Sequence, residues 1–307
     1  MRSTEPVATT HYDEFGLFHE NAEEFGIDYR APTVERVTVD VGAAGQLSAL
    51  RWGTGSPELV LLHGGAQNAH TWDTVALALD RPLVAIDLPG HGHSSHRDDH
   101  VYWPADNAQS VEIAVRELAP DAKVLVGMSL GGLTALALTD RAPDLIRSLV
   151  LVDVTPGVNR EKSTAIAQFI DGPEYFESFD QILERTVAFN PTRSEQSLRR
   201  GIAHNAVEDA DGRWRWRYDL PRRGSGDGDT GAIIPGIETL WDAISNYPGP
   251  ITLARGALSP VVDDADVAEL LRLRPDAQVE VFQGAGHSIQ GDKPIELAAY
   301  LASALDG

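Results

Sequence analysis

The sequence predicts an α/β protein, a mostly parallel sheet with helices on both faces. Three observations predict it. Short apolar runs recur at 59–62, 83–86, 124–126, 149–152, 251–254 and 279–282, broken only by Thr252 and Glu280, as expected of strands covered on both faces. Helix-length stretches separate several of them, at 71–79, 107–118, 130–138, 264–273 and 295–305. That alternation calls for parallel strands joined by right-handed crossovers. It lapses once, between Pro156 and Pro248, as it would where a separate unit is inserted between two strands.

The elements follow in order. Residues 1–10 are polar. From His11 to Tyr29, Phe15, Phe18, Ala22 and Phe25 recur at three- and four-residue spacing, which puts them on one face of a helix packed on the body. Residues 34–41 and 47–52 alternate with period two, and Gly42, Gly45, Gly53 and Gly55 punctuate them. They predict a half-exposed antiparallel pair at a sheet edge. The apolar strands and their helices come next. The stretch after Pro156 reads as a mostly helical insertion, with helix-like pieces at 178–189 and 195–205 and a Gly/Asp run at 224–231 expected to form a mobile loop.

Composition excludes several functions. The 307 residues carry 25 Lys+Arg against 46 Asp+Glu, a formal net charge of −21, which suits neither phosphate backbones nor anionic membrane surfaces. There is no Cys, hence no disulfide framework and no Cys-ligated zinc or iron–sulfur site. With 42% hydrophobic residues the chain is not an acidic disordered tail. No apolar run is long enough to span a bilayer. Residues 1–29 lack the basic and apolar regions of a signal peptide, so a cytoplasmic location is expected.

Four motifs carry chemistry, each at the end of a predicted strand. Gly127-Met-Ser-Leu-Gly131 follows one strand and opens a helix. A serine on so sharp a turn is strained and exposed, and small neighbours let strand and helix pass close by. His63-Gly-Gly-Ala66 follows an earlier strand. An N–H from this loop, that of Gly65, would form an oxyanion hole with the N–H of Leu130, the residue after the serine. Asp87-Leu-Pro-Gly-His-Gly-His-Ser94 is a tight turn, and His91, His93, His96 and His100 lie close together in sequence. Such a cluster can bind metal, but the run reads as a loop, without helical ligand spacing, and no metal is expected. Gly284-Ala-Gly-His-Ser288 places His287 after the last strand, where it can reach a nucleophile as general base.

Taken together and in this order, the four motifs resemble the α/β-hydrolase superfamily over nearly the whole chain. The resemblance implies an eight-stranded, mostly parallel sheet with a helical cap inserted after the sixth strand. Residues 157–245 fit the cap, 31–156 and 246–307 the core, and 1–30 an N-terminal extension. It also implies a catalytic acid. Many relatives carry it after the seventh strand, where this chain has Ser259. Asp153, at the end of the sixth strand, is preferred, because some members place the acid there and the order Ser129, Asp153, His287 is kept. Asp263 or Asp264 is the alternative, although these read better as a helix N-cap.

The expected activity is hydrolysis of a small carboxylic ester or lactone through an acyl-enzyme. Ser129 is the nucleophile, His287 the base, Asp153 its orienter, and Gly65 and Leu130 the oxyanion donors. A serine, rather than the aspartate of epoxide hydrolases and haloalkane dehalogenases, points to acyl chemistry. A carbon–carbon bond hydrolase, a cofactor-free dioxygenase and a non-catalytic small-molecule receptor are the alternatives. No cofactor is expected. The partner is a small-molecule substrate, not nucleic acid or membrane, and a homodimer is allowed. Phe176, Phe179, Phe189, Trp214, Trp216, Trp241 and Tyr247 are candidates for the insertion's core or a pocket wall. Arg193, Arg199, Arg200, Arg213, Arg215 and Arg217 could meet an anionic substrate or form a solvated face.

Overall fold

The computed structural model describes residues 12–219 and 234–306; residues 1–11 and the Gly/Asp run at 224–231 lie outside the described residues. After helix α1 (Phe18–Phe25), β1 (Val34–Asp40) and β2 (Gln46–Trp52) form the expected antiparallel pair. Then come β3 (Leu59–Leu62), α2 (Asp73–Leu79), β4 (Leu83–Ile86), α3 (Pro104–Leu118), β5 (Val124–Met128), α4 (Leu130–Arg141) and β6 (Leu149–Val152). The chain returns to the sheet through β9 (Ile251–Gly256), α9 (Asp264–Leu273), β10 (Gln278–Phe282), α10 (Ile289–Asp292) and α11 (Pro294–Asp306). The eight strands run in the order β1-β2-β4-β3-β5-β6-β9-β10. Every pair from β4 to β10 is parallel, while β2 meets both β1 and β4 antiparallel.

The runs of the central strands are apolar because each of these strands feeds two cores, whereas β10, at the sheet edge, buries only Phe282. Val60 and Leu62 of β3, Val84 and Ile86 of β4, and Leu149 and Leu151 of β6 join the core under α3, α4 and α9. Their neighbours Leu59, Leu61, Leu83, Ala85, Val150 and Val152 join the core under α1, α2 and α11. Alternate side chains point to opposite faces, so burial on both faces removes the polar alternation still visible in β1. Phe18 and Ala22 of α1 are buried, and the Phe18 ring lies 4.9 Å from that of Trp52. This helix starts later than the aromatic spacing predicts, leaving Phe15 in a turn before it, and Gly26, in the left-handed conformation, ends it.

Between β6 and β9 the chain forms α5 (Thr164–Ile170), α6 (Phe179–Phe189) and α7 (Glu195–Asn205). A two-stranded hairpin follows, β7 (Ala206–Glu208) with β8 (Trp214–Trp216), and then α8 (Leu240–Asn246). Ser178 and Ser194 cap α6 and α7, each accepting a bond from the amide three residues on. The hairpin was not legible as strand, since only three residues pair on each side. It supplies Trp216 to a third core with Phe176, Ile182, Leu198 and Ile202. Leu240 and Ile244 of α8 belong instead to the core of the sheet, as does Tyr247 after it. No helix among the described residues is long and apolar enough to cross a membrane.

Candidate active site

Ser129 sits between β5 and α4 with φ 51° and ψ −118°, a backbone conformation that costs a non-glycine residue energy and persists only where the surroundings impose it. Those surroundings are tight. A Cβ on Gly127 would come within 2.5 Å of the Gly131 carbonyl oxygen, and one on Gly131 would overlap the Leu62 carbonyl oxygen. Backbone atoms cannot give way, so both positions require glycine. The Ser129 carbonyl accepts from Gly132 and Leu133 to open α4.

The loop after β3 lies against this turn: a Cβ on Gly64 would be 3.3 Å from Ser129 Cβ. Two buried histidines hold the loop. His63 accepts the Leu88 N–H at Nε2 (2.9 Å), so Nδ1 carries the proton it donates to the Gly64 carbonyl (2.7 Å). His91 accepts the Ala66 N–H at Nε2 (3.2 Å) and donates from Nδ1 to the Pro89 carbonyl (2.9 Å). Both are therefore neutral. Burial, with His91 beside it, pushes His63 down to about 3, and burial lowers His91 as well. The Gly64 N–H is also taken, by Gln67 Oε1. Among the described residues no acceptor takes the N–H of Gly65 or of Leu130.

The carboxylate alternatives separate by their partners. Asp153, fully buried and also at positive φ (51°), follows β6. Its Oδ1 accepts from the Gly256 N–H (2.9 Å) and its Oδ2 from the hydroxyl of Ser259. His287 Nδ1 lies 2.8 Å from the same Oδ2. The other imidazole nitrogen, Nε2, is buried and has no partner among the described residues. Asp263 instead caps α9 in a reciprocal box with Asp266 and pairs with Lys162, while Asp264 pairs with Arg255. Ser259, the departure from the usual pattern, is thus a donor to the carboxylate that meets His287.

The loop histidines do not converge. His96 and His100 bond separately to the Arg217 carbonyl and to Asp219. The described residues that approach the composition of a metal site are His70, Asp73 and His204, with donor atoms within 4.8 Å of one another. The sequence reading missed this group, although His70 and Asp73, three apart at a helix start, could have been paired by spacing. His70 Nδ1 meets Asp73 (2.9 Å) and Nε2 meets Glu14 (3.1 Å). Its ring stacks on that of His204 at 3.8 Å, and His204 Nδ1 bonds Tyr12. Burial opposes charging His70, but Asp73 and Glu14 outweigh it and raise its pKa to about 9. The hydrogen bonds tie the N-terminal segment, α2 and α7 together.

A cavity of about 130 Å³ lies beside these elements. Ala66 and Gln67, next to Gly65, form one wall, and Gln290 and Gly291, just after His287, form another. Phe169 and Trp216 from the insertion also line it, and Ile170 Cδ1 would touch a Cβ on Gly65 at 3.8 Å.

Comparison with known proteins accords with this architecture. The model of the α/β hydrolase fold family matches residues 57–294. The chain belongs to that family. It is 44% identical over 304 residues to esterase Rv0045c of Mycobacterium tuberculosis, covering 97% of each chain. A solved structure of that esterase superposes with a TM-score of 0.83, covering 96% of this chain and 99% of the other. The sn-1-specific diacylglycerol lipase ABHD11 of Xenopus laevis is 31% identical over 251 residues, with 77% of this chain and 76% of the lipase covered.

Proposed function

We propose that this protein is a serine esterase acting on small carboxylic esters or lactones. One observation carries the proposal: His287 is held at Nδ1 by a buried carboxylate, and its other nitrogen is left without a partner. The similarity to an esterase at 44% identity supports the same reading.

In this mechanism Ser129 Oγ attacks the ester carbonyl as His287 Nε2 takes its proton. Asp153 keeps the Nδ1 proton directed inward and stabilises the imidazolium. The N–H groups of Gly65 and Leu130 take the developing oxyanion, a contribution of about 3 kcal/mol per donor in comparable sites. The alcohol leaves with the proton from His287, and water activated by the same nitrogen frees the acid. Within 157–245, the residues before α8 act as the cap; α8 joins the core formed by 31–156 and 246–307, with 1–30 as an extension. No cofactor takes part.

A fluorophosphonate probe tests the reading. It should label the wild type and not Ser129→Ala, and chromogenic short-chain esters should be hydrolysed by the first alone. Absence of labelling and hydrolysis in the wild type refutes it, and oxygen uptake that survives Ser129→Ala would put a dioxygenase in its place.

A further inference from the structure

The six arginines between 193 and 217 divide by their partners. Arg199 pairs with Asp180 and Glu195, Arg200 with Glu20 and Glu24, Arg213 with Asp211, and Arg215 with Asp209. Arg217 lies over the ring of Tyr12. Arg193 and Arg217 share a buried Nε without an acceptor and, among the described residues, pair with no carboxylate. Of these two only Arg193 lines the cavity. Its Nη2 donates to Ser197 Oγ (2.6 Å).

The acidic groups nearby are already engaged. Asp292 accepts from the Gly286 N–H (2.7 Å) and from Thr192 Oγ1 (3.0 Å). Glu24 accepts from Ser194 and Arg200. Burial lowers the pKa of Arg193, and Asp292 and Glu24 do not fully offset it. A guanidinium with an unsatisfied N–H is a group that a carboxylate partners well.

Its position connects this N–H to the reaction. A Cβ on Gly291 would lie 2.9 Å from Arg193 Cζ, so the guanidinium rests on α10, the turn immediately after His287. Ala66 and Gln67, beside Gly65, line the same cavity, and Gln290 Nε2 donates to Gln67 Oε1 (3.4 Å). A ligand in the cavity would therefore meet Arg193 and the loop that carries Gly65. Asn190 and Gln290 add neutral amides to the lining.

We propose that Arg193 is a carboxylate-binding, specificity-determining residue, and that the preferred substrates are esters with a free carboxylate on the same molecule, half-esters of dicarboxylic acids in particular. This rests on the esterase reading above.

The test compares monomethyl and dimethyl esters of glutaric and adipic acids on wild type, Arg193→Met and Arg193→Lys. The wild type should favour the half-esters in kcat/KM. In Arg193→Met the half-ester to diester ratio should fall about tenfold to a hundredfold, the range of a charge-assisted hydrogen bond, mainly through KM. Arg193→Lys should keep part of the preference. Because the ratio is taken within one preparation, partial misfolding cancels. A wild type that prefers the diesters, or a ratio untouched by Arg193→Met, overturns the proposal and leaves the esterase standing. Failure to hydrolyse either ester, with no labelling of Ser129, removes both.

Discussion

His287 with Asp153 and His70 with Asp73 make the same bond in two parts of the molecule. In each, an imidazole Nδ1 meets Oδ2 of a buried aspartate, at 2.8 Å in the first and 2.9 Å in the second. The second nitrogen separates them. Glu14 meets Nε2 of His70 at 3.1 Å, and between two carboxylates that ring is held as a cation, with a pKa raised to about 9. Among the described residues nothing meets Nε2 of His287. A ring with both nitrogens donating is a fastener, whereas a ring with one open nitrogen can accept a proton. A histidine–aspartate pair is therefore not evidence of catalysis until the far side of the ring is known.

Substitutions can break this contrast, and the largest effects belong to the His287 side. Ser129→Ala or His287→Ala should lower kcat/KM for a chromogenic ester by about ten-thousandfold or more while circular dichroism and the melting temperature stay near wild type. Next comes Asp153→Asn, which would present the wrong hydrogen-bonding partner to Nδ1 and should cost about a thousandfold or more in kcat. Asp263→Asn and Asp264→Asn should change kcat less than about threefold, since asparagine caps a helix about as well as aspartate.

On the other side the currency is stability. The folded state holds the His70 proton more tightly than an unfolded chain with a pKa of about 6.5 would. Below that pH both states are protonated and the full contribution is present. Between about 6.5 and 9 only the folded state keeps the proton, and the contribution is lost by pH 9 and above. It amounts to roughly 3 kcal/mol at most. His70→Gln should therefore lower the stability measured by urea unfolding at pH 6, and flatten its decline between pH 6.5 and 9. An unchanged pH profile would show that His70 is not a cation in the fold. A modest effect on kcat, between those of Asp153→Asn and Asp263→Asn, should follow Ser259→Ala, which removes one of the donors to Asp153: about one hydrogen bond's worth, a severalfold loss on the same ester assay.

Much of the fold was legible because its signals are local. Strands buried on both faces must be apolar at every position, and a serine between strand and helix needs small neighbours within two residues. His63-Gly-Gly65, Ser129 and His287 could be picked out on such grounds, each being defined by its own strand end. The hairpin at 206–216 escaped because three-residue strands carry too little periodicity. The latching roles of His63 and His91 escaped because their partners, Leu88 and Ala66, are each 25 residues away in sequence.

By itself, then, the sequence determined the α/β alternation, the place of the insertion, and the serine and histidine that end their strands, since each depends on neighbours in the chain. It left three carboxylates for one histidine and six arginines for one anion. Only the tertiary structure decided that Asp153 faces His287 while Asp263 caps a helix, and that Arg193 has no carboxylate among the described residues while Arg199, Arg200, Arg213 and Arg215 have theirs. The physical reason is common to both. The role of a charged side chain is set by the groups that share its desolvated surroundings, and those come from distant parts of the chain.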